Sequence, residues 1–81
     1  MSDTIFRDEA TLIAGLVRQD EAAYRHAIRT FGGPMRHLAA SIVGHKIADE
    51  VVQEAWFSVL KSVGKFEGRS TLKTWIMRIT A

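Results

Sequence analysis

Apolar residues recur along this chain at spacings of three and four, the period of an amphipathic helix, and nowhere alternate as a strand requires. A first helix is expected from about Asp8 to Arg18, with Leu12, Ile13, Leu16 and Val17 on its apolar stripe. Asp20 is placed to cap a second helix, in which Tyr24, Ala27, Ile28 and Phe31 fall at i, i+3, i+4 and i+7. Gly32-Gly33-Pro34 is expected to break or kink that helix, because proline lacks the amide that a helix interior needs. The stripe resumes at Met35, Leu38, Ala39 and Ile42, and Gly44 suits a C-terminal cap. A third helix is expected from near Ile47 to about Val63, with Gly64 as its stop. Its stripe is Val52, Ala55, Trp56, Val59, Leu60 and Val63. After the connector Lys65-Phe66-Glu67-Gly68-Arg69, Ser70 is expected to cap a fourth helix built on Leu72, Trp75, Ile76 and Ile79. The pattern therefore predicts an all-α fold, a compact bundle of three to four helices, as a single domain over residues 1–81. The last stripe is still running at Ala81, which points to an expressed fragment with its final helix truncated.

Composition narrows the class without naming it. At 47% hydrophobic and 25% charged residues, the chain is an ordinary globular one. It has no cysteine, so disulfides and thiolate metal sites are excluded. No apolar run approaches the ~20 residues of a membrane span, and Met1–Arg7 is too short an apolar stretch for a signal peptide. The cytoplasm is the default compartment. His26, His37 and His45 form no helical ligand pair, and Gly32-Gly33-Pro34 lacks the lysine and hydroxyl of a phosphate loop. No nucleophile–base or paired-carboxylate arrangement stands out, so neither enzyme chemistry nor a cofactor is expected.

Charge changes the picture more. Residues 1–60 hold six Lys/Arg against eight Asp/Glu, net −2, while residues 61–81 hold five against one, net +4. This asymmetry fits two different partners, with an anionic one near the C-terminal end; a merely solvated basic end fits as well. On the third helix, Glu50, Gln53, Glu54, Phe57 and Lys61 share a second face, away from the core stripe. Glu50 and Glu54 are like charges at i, i+4, mildly unfavourable by some ~0.2–0.5 kcal/mol. An aromatic beside two carboxylates makes a docking patch for a basic helix. On pattern alone the simpler account is an acidic face with one stray aromatic.

The connector and fourth helix form the basic end. Phe66 stands between Lys65 and Arg69, a stacking surface flanked by phosphate contacts of the kind single-stranded nucleic acid uses. Gly68 permits a close approach or a positive φ. Ser70 and Thr71 sit where free amides of a helix N-terminus can accept a phosphate. Lys73, Thr74, Met77 and Arg78 avoid the apolar stripe. A hydrophobic plug at Phe66, with solvated cations around it, is an equal alternative. Core packing is the expected role of Trp56, while Trp75 is divided between core and site.

These residues resemble a known family. Ala48-Asp49-Glu50-Val51-Val52-Gln53-Glu54-Ala55-Trp56 resembles the region 2.2 signature of bacterial sigma factors, and Lys65 through Trp75 resembles region 2.3. Asp20-Glu21-Ala22-Ala23-Tyr24 and the helix through Pro34 resemble region 2.1, so that the likeness covers about residues 8–81. The short linker between the two main blocks resembles the extracytoplasmic-function (ECF) group. The resemblance implies a sigma-70 region 2 domain, a transcription initiation factor that makes and breaks no bond. Region 2.4, the following linker and the region 4 domain are absent from it.

The resemblance also implies partners. Glu50, Gln53, Glu54 and Phe57 match positions that dock on the β′ clamp coiled coil of RNA polymerase core. Lys65, Phe66, Gly68, Arg69, Ser70, Thr71, Lys73, Thr74, Trp75 and Arg78 match positions that melt the promoter minus-ten element and capture its single-stranded non-template strand. Trp75 is followed by Ile76 and not by a second aromatic, which implies a weaker wedge and a promoter near consensus. An anti-sigma factor is a possible further partner; no membrane partner is implied. Two rival classes stand beside this one. A helix-turn-helix module would read duplex DNA with the fourth helix, and a helical interaction bundle would have no nucleic-acid role.

Overall fold

The computed structural model describes residues 8–81, so the expectation about a leader in Met1–Arg7 lies outside the described residues. Four α-helices follow in order: α1 (Glu9–Val17), α2 (Glu21–Val43), α3 (His45–Ser62) and α4 (Leu72–Thr80). A single 3-10 turn over Val63–Lys65 extends α3, and no strand occurs among the described residues. The all-α expectation holds.

Each helix starts for a local reason. The Asp8 carboxylate accepts from the Thr11 amide at 2.7 Å, and the Asp20 carboxylate from the Ala22 amide at 3.0 Å, both as N-caps. Between α2 and α3 the chain turns at a single residue, Gly44, whose φ of 88° is open to glycine. α4 is capped by Thr71 and not by Ser70 as expected: the Thr71 hydroxyl oxygen accepts from the Thr74 amide at 3.1 Å. Ser70 instead donates its hydroxyl to the Thr71 carbonyl at 3.0 Å.

Of the break or kink expected at Gly32-Gly33-Pro34, no break occurs: α2 runs through it. An interior proline costs about 3 kcal/mol. The buried stripe Ala23, Ala27, Phe31, Met35 and Ala39 continues in phase across Pro34 and holds both halves against the core. Arg36 adds a bond to Asp49 of α3 at 2.8 Å, just past the proline. α3 likewise begins at His45, two residues before the expected start, and ends at Ser62.

The core gathers Leu12 and Leu16 of α1, Phe31 and Met35 of α2, Trp56 and Val59 of α3, and Leu72 and Ile76 of α4. Alanines at 23, 27, 39, 48 and 55 are all buried, and their small side chains let α2 and α3 approach closely. Trp56 is a core residue, edge-on to Tyr24 with ring centroids 5.8 Å apart. Several stripe residues fall outside this core. Val17, Ile28 and Ile42 are exposed, as is Ile47 at the expected start of α3. The two short helices α1 and α4 cover only part of the long α2 and α3, not the whole width of every stripe. Met77 errs the other way: expected on the polar face, it is partly buried and packs on the core.

Candidate functional site

Two surfaces collect the residues that the sequence singled out, and they share no lining residue. The first lies on α3. Glu50, Gln53, Glu54 and Phe57 are all exposed and line one broad groove with Ser58 and Lys61. Phe57 leaves 65% of its surface open, an unusual position for a large aromatic ring. Glu50 and Glu54 form no ion pair with another described residue. Asp49, their neighbour in sequence, is committed to Arg36 and so serves the fold. Helical spacing thus divides three acidic residues between two tasks: Asp49 ties α2 to α3, while Glu50 and Glu54 face outward.

The second surface is the connector between α3 and α4. Gly68 turns it with a φ of 75°, which an L side chain adopts only with strain. That turn brings Lys65, Phe66, Arg69 and Ser70 of the connector to Trp75 and Arg78 of α4 around a shallow cavity of about 200 Å³. The volume falls below the roughly 300–1,000 Å³ of small-molecule sites. The Phe66 and Trp75 rings form its apolar part, centroids 5.2 Å apart and tilted by 51°. Both are half-buried and rest on the core. Phe66 therefore packs on the core with one side and leaves part of its ring open.

Sequence reasoning missed one lining residue. Glu67 brings a carboxylate to the cavity and pairs with Arg69 at 3.1 Å. Lys65, Arg69 and Arg78 against Glu67 leave the lining at +3 − 1 = +2. Four expected residues do not line the cavity: Gly68, which turns the connector, and Thr71, Lys73 and Thr74. Thr71 and Thr74 are bonded to each other, hydroxyl to hydroxyl at 2.9 Å, in the cap of α4. Lys73 is exposed on the first turn of α4. The expected phosphate cradle of free amides is also largely filled. Thr71 takes the Thr74 amide, and the Glu9 carboxylate takes the Leu72 amide at 3.1 Å.

The sigma-70 region 2 family model matches residues 27–81, two thirds of the chain and all of both surfaces. The chain belongs to the sigma-70 region 2 family. No curated protein and no solved structure matches it. A sigma-70 region 2 domain is a transcription-factor module, and the family binds RNA polymerase and recognises the promoter minus-ten element. The four-helix architecture agrees with that membership. No described helix of this sigma domain is long and apolar enough to cross a membrane. No three His, Asp or Glu side chains among the described residues are grouped to hold a metal.

Proposed function

We propose that this domain docks on the β′ clamp coiled coil of RNA polymerase through α3, and captures an unstacked base of the non-template minus-ten strand in the cavity beside α4. The observation that carries this division is the separation of the two surfaces. The acidic, aromatic-bearing groove of Glu50, Gln53, Glu54 and Phe57 fits a basic helix. The cationic cavity with a half-open aromatic pair fits a phosphate-linked base. Each surface has the chemistry its partner lacks.

Melting costs a few kcal/mol per flipped base. A ring stacked on Phe66 or Trp75 recovers about 1–3 kcal/mol, and Lys65, Arg69, Lys73 and Arg78 add phosphate contacts. Ser70 offers a hydroxyl, and Glu67 a carboxylate, to the base edge. Thr71 and Thr74 act from behind, by fixing the start of α4. With one wedge aromatic followed by Ile76, whose side chain is fully buried, the domain stabilises opening more than it forces it. That behaviour fits a factor of the ECF group with a near-consensus promoter. A helix-turn-helix reading fits less well: residues 63–71 separate α3 from α4, where that motif uses three or four.

Calorimetric titration with a β′ clamp-helix peptide tests the docking half. Saturable binding, one peptide per domain, is expected. A folded domain that takes up no peptide contradicts docking through α3.

A further inference from the structure

We propose that Glu9 is a positioning residue for strand capture: from α1, it locks the first turn of α4 and so holds the cavity open in its binding shape. This rests on the strand-capture reading above and names a residue outside the matched family region, which begins at residue 27.

The Glu9 carboxylate accepts the Leu72 amide at 3.1 Å, a bond that joins residues 63 apart in the chain. Glu9 is the first residue of α1, and Leu72 the first of α4. One carboxylate therefore stands at the positive ends of two helix dipoles. α4 needs it, because its own first turn holds no acidic residue and carries Lys73, a cation at the end where cations are disfavoured. Glu9 supplies from another helix the charge that α4 lacks, which lets Lys73 stay for the strand. Trp75 lies one turn further on, with its amide bonded to the Thr71 carbonyl, so any loosening of that turn moves the Phe66–Trp75 pair. The same carboxylate occupies the helix end where a phosphate would otherwise settle, and directs the backbone of the strand to the side-chain cations.

The test compares the native domain with Glu9→Ala and Glu9→Gln, below the melting temperature of each. Single-stranded oligonucleotide affinity and hydrogen exchange at the Leu72 amide are the readouts. Glu9→Ala is expected to speed Leu72 exchange and weaken strand binding about fivefold, the equivalent of a lost cap of about 1 kcal/mol. Glu9→Gln, whose amide oxygen accepts the same bond but brings no charge, is expected to lose about two- to threefold, between native and Glu9→Ala. Native-like strand affinity in folded Glu9→Ala overturns the role of Glu9 alone, as does a Glu9→Gln loss equal to that of Glu9→Ala. No strand affinity in the native domain overturns the strand-capture reading, and this one with it. Should Glu9→Ala not fold, Leu72 exchange in the native domain decides: protection supports the lock, and free exchange overturns it.

Discussion

Gln53→Ala together with Glu54→Ala is expected to weaken binding to the β′ clamp helices by about 2–4 kcal/mol, a loss of some thirtyfold to a thousandfold. Each side chain offers a hydrogen bond to a basic partner helix, and one of the two is charge-assisted. Both are exposed, and neither belongs to the core. The thermal midpoint should therefore hardly move, since exposed substitutions of this kind stay within about 0.5 kcal/mol. Calorimetry and a melting curve on the same preparation separate the two effects. Unchanged peptide affinity would mean that this face is only a solvated acidic surface. A large loss of stability would mean that the face is structural.

Phe66→Ala acts on two properties at once. The ring rests on the core and on Trp75, so its removal should lower stability by about 1–2 kcal/mol, less than the 3–5 of a fully buried phenylalanine. Its open side is the stacking surface, so strand affinity should fall by about 1–3 kcal/mol in protein that is still folded. A domain of this size has roughly 0.05–0.15 kcal/mol of stability per residue and should survive the change. Titration of a single-stranded oligonucleotide well below the melting temperature isolates the second effect. Lower stability with native strand affinity would leave Phe66 as a plug and nothing more.

What the sequence made legible follows from how local each feature is. The α3 groove was readable because helical spacing alone decides which residues share a face. Glu50, Gln53, Glu54 and Phe57 are together in the structure as the period requires. The turn at Gly68 and the caps at Asp20 and Gly44 were readable for the same reason, since each depends on a few adjacent residues. Continuity of α2 through Pro34 was not, because the buried stripe on both sides outweighs a local breaker. Ser70 and Thr71 are adjacent hydroxyls that can both cap a helix, and the structure uses Thr71, although serine is the stronger capping type. Exposure of Val17, Ile28 and Ile42 depends on how far neighbouring helices reach, which periodicity does not encode. The bond from Glu9 to Leu72 spans nearly the whole chain and has no sequence signature at all.

Strand preference tests the central claim most directly. Oligonucleotides covering all four bases at the minus-ten positions would be titrated into the native domain, single-stranded and annealed to their complements, across a salt series. The account predicts tighter binding of the single strands, selective at one base position. Log affinity should fall with log salt at a slope of about −3, from roughly −0.7 for each of the four cations Lys65, Arg69, Lys73 and Arg78. Tighter binding of the duplexes, or strand binding indifferent to salt and to base, would contradict base capture in the cavity beside α4.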